Sequence, residues 1–333
     1  MADKPRHPKG IRFRKPKKNE DFDKLAKVIN ESWAADGIDA VRTADDFKRK
    51  FSNPLDFDPD KDCLVVESDS EAIGFNELTT EKKLGGEIRF WHYSHLLPTF
   101  RTGNLRKEMI AWNEARIREI AATHTGAGRQ FIEIYANTKE ENDWKELVAE
   151  EGYTPAWYLF EMVRSDLADA PEFPLPDGVE IRPVTKQNIR QVWNTARDAL
   201  KDERNYTEEK WTNEAFEEEL ASPNHDSGLW QIAWHGDEVV GGVLNYIDQD
   251  ENESFNRTWG HTERIFVTRP WRRKGVARAL IARSLKVLRD RGMEKATLDV
   301  DTENPSGAVG VYETLGYVAE KQFTFYRKEL RHA

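Results

Sequence analysis

The chain has 333 residues, of which 38% are hydrophobic and 33% charged, and its formal net charge is −10 at pH 7. This length exceeds what one hydrophobic core usually organises and predicts two domains of about 150 residues each. The acidic balance argues against a nucleic-acid partner, and no apolar run approaches the roughly 20 residues that span a bilayer. Because Cys63 is the only cysteine and no secretory signal is present, we expect a cytoplasmic protein without disulfides, a metal site or a membrane partner.

The first half of the chain alternates strand-like and helix-like patterns in the order β-α-α-β-β-β-α-β-α-β. Helices are indicated by apolar residues at helical spacing, such as Leu25, Ile29 and Trp33, and strands by short apolar runs such as residues 131–135. Residues 165–178 carry three prolines and few apolar residues, which is typical of a linker.

Past the linker the same order begins again, which predicts a second copy of one domain. Pro270 and Gly275 align with Pro98 and Gly103 at one constant offset. The pair Gly316-Tyr317 aligns with Gly152-Tyr153 at a second offset. The predicted organisation is therefore an N-terminal domain at 1–164, a linker at 165–178 and a C-terminal domain at 179–333.

The strand-to-helix turn in the second copy has the composition of an anion site. A strand pattern, Arg264 to Val267, ends before Pro270 and is followed by a basic turn, Arg272-Arg273-Lys274-Gly275-Val276-Ala277, that leads into a helix. Free amides at the start of a helix, the helix dipole and a glycine that allows close backbone approach all favour a phosphate. We expect a ligand that carries a pyrophosphate.

The two copies differ at this turn. At the constant offset, Phe100-Arg101-Thr102-Gly103-Asn104-Leu105 stands opposite Arg272 to Ala277. The first copy thus loses two positive charges and places Leu105 where the second has Ala277. We predict that the first copy is degenerate.

The second copy resembles the GCN5-related N-acetyltransferases (GNAT). Its turn fits the family's phosphate motif, Arg/Gln-x-x-Gly-x-Gly/Ala, and the next family block is matched by Asn304, Tyr312 and Leu315-Gly316-Tyr317. The resemblance covers residues 179–330 strongly and 11–164 by architecture. It implies an α/β fold of two tandem GNAT-like domains, each a mostly antiparallel twisted sheet flanked by helices, that transfers an acetyl group from acetyl-coenzyme A to a primary amine of a small molecule.

The resemblance also assigns coenzyme contacts. The splayed strand at Phe266 and Val267 would hold the pantetheine arm, and the Val267 amide would polarise the thioester carbonyl. Asn304 would bind the coenzyme arm through its amide. The pyrophosphate would lie on the turn, whose members are Arg272, Arg273, Lys274, Gly275, Val276 and Ala277.

Proton transfer needs a base for the amine and an acid for the departing thiolate. Strand alternation places His261 and Glu263 on the same face as Val267, at the family's positions for a base or a water-holding residue, and either can serve. The family block makes Tyr312 the general acid. The first copy has Arg89, Trp91, Glu140 and Val148 at these positions and at Asn304, so we predict catalysis in the C-terminal domain only.

Two further interpretations remain open. The tandem arrangement is similar to that of mycothiol synthase-like proteins, which acetylate a cysteinyl amine, although His261 stands where those proteins carry glutamate. A module that senses acetyl-coenzyme A without chemistry is the non-enzyme alternative. The segment Lys201 to Leu220 is either an acidic, aromatic mouth for a cationic amine or a solvated helix face. The protein is expected to be a monomer or a homodimer.

Overall fold

A computed structural model describes residues 10–18, 20–52, 57–101, 103–124, 128–139, 142–303 and 307–330. The described chain divides into two compact units. The first contains residues up to Ala156 and those from Thr324 onward, and the second is Trp157–Phe323. The division falls within the strands Thr154–Arg164 and Val318–Glu329.

The first unit follows the predicted order of elements. Its six-stranded part of the sheet has the order β1-β2-β3-β4-β5-β13, in which β1 to β4 are antiparallel and β4 pairs with β5 in parallel. The elements are β1 (Ile11–Arg14), α1 (Phe22–Ala35), α2 (Ala44–Ser52), β2 (Cys63–Ser68), β3 (Glu71–Lys82), β4 (Ile88–Leu96), α3 (Leu105–Thr123), β5 (Gln130–Asn137), α4 (Asn142–Glu150), the start of β6 (Thr154–Arg164) and the end of β13 (Val318–Glu329).

The second unit has two sheets. Strands β13-β6-β12-β10 form one, and β11-β9-β8-β7 form the other. The elements are β7 (Val179–Ile181), α5 (Ile189–Leu200), α6 (Asn213–Ala221), β8 (Gln231–His235), β9 (Glu238–Val243), α7 (Gln249–Ser254), β10 (Trp259–His261), β11 (Phe266–Val267), α8 (Val276–Asp290), β12 (Lys295–Asp301) and α9 (Ala308–Thr314).

Two short helices of the second unit were not predicted from periodicity. Helix α6 begins after Thr212, whose hydroxyl accepts a hydrogen bond from the Ala215 amide. Helix α7 begins after Asp248, whose carboxylate accepts one from the Glu251 amide. Both are polar and short, and their N-caps satisfy amides that otherwise lack partners.

The core of the second unit lies on one face of β12. Ala296, Leu298 and Val300 are buried against helices α8 and α9. Since side chains alternate along a strand, Thr297 and Asp299 project to the opposite face. This alternation gives β12 an apolar helix-covered face and a polar face.

The predicted strand from His261 to Val267 is interrupted. Strand β10 pairs in parallel with β12, whereas β11 pairs antiparallel with β9. Between them Arg264 has φ +45°, a left-handed conformation that breaks strict alternation. The expectation of one continuous period of two through Val267 was therefore wrong, because the strand changes its partner at this point.

Candidate active site

A gap opens between β11 and β12. The pairing of β10 with β12 ends at His261 opposite Thr297, and the Thr262 amide still donates to the Thr297 carbonyl at 2.9 Å. Beyond that bond, β11 follows β9 instead, with Val267 opposite Gly241. Such a splay leaves backbone groups available to a ligand rather than to a neighbouring strand.

A cavity of about 1030 Å³ lies at this gap. Its walls come from the end of α5, strand β11, the turn before α8 and helix α9. Of the residues predicted to bind coenzyme or act as the acid, those that line it are Phe266, Val267, Arg272, Arg273, Gly275, Val276, Ala277 and Tyr312. Lys274, His261 and Glu263 are not in its wall, and Asn304 lies outside the described residues.

The turn before α8 has the geometry of an anion cradle. Arg273 and Gly275 have φ +61° and +85°, so successive amides turn toward one side. Gly275 caps the helix, and no side-chain hydrogen bond satisfies the first amides of α8. The positive end of this 15-residue helix therefore meets the cavity, together with the guanidinium groups of Arg269 and Arg278.

Arg272 is already held by the protein. Its guanidinium donates to the Val267 carbonyl at 3.1 Å, to the Ala199 carbonyl at 3.0 Å and to the Asp202 carboxylate at 3.0 Å. It thus ties the end of α5 to the end of β11. In this structure Arg272 shapes the wall of the cavity, and Arg273 carries the neighbouring charge that forms no ion pair among the described residues.

Arg101 makes the matching contacts in the first unit. It donates to the Leu96 carbonyl, to the Ser32 carbonyl and to the Asp36 carboxylate. Its counterpart is therefore Arg272, not Arg273 as the glycine alignment implied. The first residues of the following helices, Leu105 and Val276, match at the same offset as Arg101 and Arg272, so Gly103 and Gly275 lie one position apart in the structural correspondence.

This correspondence identifies what fills the first unit's equivalent space. Arg106 stands at the position of Ala277, is buried, and lies 4.7 Å over the ring of Trp144. By the second offset, Trp144 stands at the position of Ala308, and the matched bonds from the amides of Tyr153 and Tyr317 support that offset. Arg106 and Trp144 line a cavity of only about 30 Å³, room for about one water molecule.

Tyr312 lies in the wall of the cavity. Its side chain on α9 is 8% exposed, lines the cavity and packs edge-on against Tyr317 at 6.2 Å. Its hydroxyl has no hydrogen-bond partner among the described residues. Burial, and then the negative charges of Glu263 and Glu203, raise the pKa of Tyr312, so the phenol stays protonated at neutral pH.

His261 and Glu263 lie on the polar face, outside the cavity wall. The His261 ring stacks on Tyr246 at 4.3 Å and 3°, and its Nε2 is 3.4 Å from Glu251. The Glu263 carboxylate accepts hydrogen bonds from the amides of Arg264 and Asp299. Burial raises the pKa of Glu263, although His261 and Arg264 oppose the shift.

Sequence reasoning missed Asp299, which neighbours Glu263 across the gap. More than a third of its surface is accessible to solvent. Removal of water by the surrounding protein atoms, and then the charges of Glu263 and Glu161, raise the pKa of Asp299 well above its usual range. The alternation of apolar and polar residues along β12 (KATLDVD) was the sequence signal that places Asp299 on the polar face of this strand.

Known proteins resemble this chain over both units. An N-alpha-acetyltransferase MAK3 of Arabidopsis thaliana is 28% identical over 95 residues, which are 28% of this chain and 47% of that protein. The match thus spans about half of that relative. A mycothiol acetyltransferase of Geodermatophilus obscurus is 24% identical over 87% of this chain and 88% of its own length.

Solved structures share the fold. A GCN5-related N-acetyltransferase from Sphaerobacter thermophilus has a TM-score of 0.73 at 21% identity and covers 98% of each chain. A tandem GNAT protein from the clavulanic acid biosynthesis pathway has a TM-score of 0.69 at 14% identity, with 97% of this chain and 99% of that chain covered. The expected α/β fold of tandem GNAT-like domains is confirmed.

The model of the acetyltransferase (GNAT) family matches residues 193–317. Residues 193–317 thus form a GNAT domain, and the chain has a tandem arrangement like that of mycothiol synthase-like proteins. In the part of the chain that the structure describes, no helix has the length and apolar character needed to cross a membrane.

Proposed function

We propose that the second unit transfers the acetyl group of acetyl-coenzyme A to a primary amine and that the first unit does not catalyse. The observation that carries this proposal is the contrast between two equivalent places. The second unit has a cavity of about 1030 Å³ at the start of α8, whereas the first has about 30 Å³ at the start of α3.

The coenzyme binds along the turn and the gap. Its pyrophosphate accepts hydrogen bonds from the first amides of α8, with Arg273 and Lys274 as the neighbouring cations. Asn304 holds the pantetheine arm through its amide. The Val267 amide donates to the thioester carbonyl and stabilises the charge that develops there during attack.

Glu263 is the base of the proposed reaction. Burial raises the pKa of Glu263, and a carboxyl with a raised pKa accepts a proton more readily than an ordinary glutamate. It removes the proton of the ammonium group, directly or through water. The neutral nitrogen attacks the carbonyl carbon, the carbon–sulfur bond breaks, and the thiolate takes the Tyr312 proton. The acetylated nitrogen releases its remaining extra proton to solvent, and solvent reprotonates the Tyr312 phenolate. His261, held by Tyr246 and Glu251, orients the acceptor side of the site.

A cysteinyl amine is the second candidate acceptor. It is favoured by relatives named mycothiol acetyltransferase, one of which matches 87% of this chain. The sensing function without chemistry is less well supported. Simple binding of the coenzyme needs neither the Tyr312 hydroxyl, which has no partner among the described residues, nor the raised pKa of the Glu263 carboxyl.

Calorimetric titration with acetyl-coenzyme A tests the one-site proposal. We expect one site per chain and thiol release when an amine is added. Ala308→Trp and Ala277→Arg, which install the first unit's residues in the cleft, should abolish binding, whereas Arg289→Ala on the outer side of α8 should leave it intact. Two equivalent sites per chain, or binding that survives both cleft-filling variants, contradict the proposal.

A further inference from the structure

The turn between β10 and β11 contains a residue in an unfavourable backbone conformation. Arg264 has φ +45° where the chain changes from pairing with β12 to pairing with β9. A residue with a Cβ atom rarely adopts this left-handed region, and it stays there only where the surrounding structure enforces it. The contacts of the Arg264 side chain therefore bear on the geometry of the gap.

The Arg264 side chain is held by a carboxylate and two tryptophans. Its guanidinium donates to the Glu219 carboxylate of α6 at 2.7 Å and lies 5.3 Å and 5.6 Å from the ring centres of Trp193 and Trp211. The two indole rings are 4.6 Å apart, and Trp193 is buried. A planar guanidinium that both stacks on indoles and pairs with a carboxylate is confined to one position. We call Glu219, Trp193 and Trp211 the arginine clamp.

The backbone of the same turn connects the two groups that act on the thioester and the amine. The Arg264 amide donates to the Glu263 carboxylate, and the Glu263 carbonyl accepts a hydrogen bond from the Leu244 amide at 2.9 Å. Strand β11, which carries the Val267 amide, begins two residues further on. Rotation about the φ angle of Arg264 would therefore move Val267 relative to Glu263.

We propose that Arg264 is a positioning residue: the arginine clamp holds its left-handed turn and thereby fixes the Glu263 carboxylate relative to the Val267 amide. This inference rests on the proposed function, in which Glu263 takes the proton of the amine and Val267 receives the thioester carbonyl. It also gives the segment Lys201 to Leu220 a role, because two of the three clamp residues belong to it.

Two amide variants distinguish a positioning role from the effect of a charge. Arg264→Gln and Arg264→Asn both replace the guanidinium with a neutral carboxamide, but asparagine adopts the left-handed region far more readily. The assay measures thiol release from acetyl-coenzyme A with n-butylamine or with S-methyl-L-cysteinamide, a cysteinyl amine without a free thiol. Arg264→Gln should lower kcat about tenfold to 100-fold, as misplacement of a reacting group does. Arg264→Asn should recover most of the lost rate, because its own backbone preference replaces the clamp.

Arg190→Gln is the matched control. Arg190 on α5 has the same side-chain exposure as Arg264, 40%, pairs with Glu217 at 3.3 Å and stacks on the ring of Phe216, but it lies within a helix. This variant loses the same kinds of contact without touching the turn, so it should keep the wild-type kcat.

Glu219→Gln keeps the inference testable if Arg264→Gln does not fold. It removes the charged partner of the clamp and leaves the indole contacts of the guanidinium in place. Its kcat should lie between those of the wild type and Arg264→Gln.

Two kinetic and binding readouts separate positioning from a general loss of structure. The Kd and stoichiometry of acetyl-coenzyme A should stay at the wild-type values in Arg264→Gln, because the start of α8 is unchanged. Its deficit in kcat should shrink as the pH approaches the pKa of the amine, since a neutral amine needs no base. The other titratable groups around Glu263, all of them retained in these variants, are His261, Tyr246, Asp299, Tyr312 and Tyr317.

Hydrogen exchange reads the turn without any reaction. The Leu244 amide bonds to the Glu263 carbonyl, so it should lose protection in Arg264→Gln and keep it in Arg190→Gln. Mass spectrometry of the peptides that carry Leu244 measures this difference.

The outcomes separate the two proposals. Equal losses of kcat in Arg264→Gln and Arg264→Asn, a deficit that is the same at every pH, or unchanged exchange at Leu244 each overturn the positioning role and leave the acetyl-transfer proposal in place. If the wild type binds acetyl-coenzyme A and releases thiol with neither amine, the proposed function fails, and the role of Arg264 fails with it.

Discussion

The hydroxyl of Tyr312 can be removed without changing the shape of the cleft. Tyr312→Phe keeps the buried ring and its edge-on contact with Tyr317. Since the hydroxyl has no hydrogen-bond partner among the described residues, its loss leaves no buried group unpaired. Thermal stability and the Kd of acetyl-coenzyme A should therefore stay close to those of the wild type.

Turnover, in contrast, should fall. A positioned proton donor contributes roughly 10²-fold to 10⁴-fold to a rate. Because a thiolate is a fairly good leaving group, we expect the lower end, about 100-fold in kcat, which corresponds to about 2.7 kcal/mol in the activation free energy. Stopped-flow detection of free thiol with saturating coenzyme and amine measures this change directly.

Tyr317→Phe is the matched control for this prediction. Tyr317 is equally aromatic and buried, but its hydroxyl shares a hydrogen bond of 2.9 Å with Thr262. Its loss should cost about 1 kcal/mol in the free energy of unfolding and leave turnover near the wild-type value. If Tyr312→Phe is as active as the wild type, Tyr312 is not the acid, and water or another group protonates the thiolate.

Two further substitutions concern stability and coenzyme affinity. Arg272→Lys should lower the melting temperature of the coenzyme-free protein, because a lysine cannot keep all three contacts of the guanidinium. Arg273→Lys should instead weaken coenzyme binding and leave the melting temperature unchanged. The opposite pattern contradicts the roles assigned to these two arginines. Burial lowers the pKa of His92 from 6.5 to about 4, so the unfolded chain binds the extra proton and stability falls as pH drops below about 6.5. His92→Gln should abolish about 2 kcal/mol of the loss in unfolding free energy between pH 7 and pH 5, as denaturant titration at both values would measure, and an unchanged pH dependence would exclude His92 as its source.

Periodicity and turn residues were enough to predict most of the fold. All ten elements from β1 to β6 follow the predicted order, because each combines a regular apolar pattern with a clear stop. Helix α7 escaped because its sequence, QDENES, carries little apolar periodicity, and for the same reason a helix at α6 (NEAFEEELA) was only one of two interpretations of its segment. Their N-caps, Thr212 and Asp248, were the available signal.

The sequence predicted only part of the candidate site. The remaining residues come together through contacts between distant parts of the chain, which local patterns do not show. The turn from Arg272 to Ala277 was found from local chemistry, since glycine and helix start lie together in the chain. The engagement of Arg272 depends on Asp202, which is 70 residues away in sequence. Asp299 joined the site only through its pairing with Glu161, and no local pattern predicts which strands become neighbours.

The comparison of the copies shows why counting charges at one turn is a weak guide to loss of function. The arginine that seemed to distinguish the second copy, Arg272, has a working counterpart in Arg101, and both hold the end of a helix to a strand. The two units differ in the volume of the side chains that border this space. Two alanines that border the second cavity correspond to Arg106 and Trp144 in the first, where a buried cation and an indole fill the equivalent space. If the first unit descends from a coenzyme site, we expect that restoring basic residues to its turn does not reopen the space, whereas shortening both side chains does.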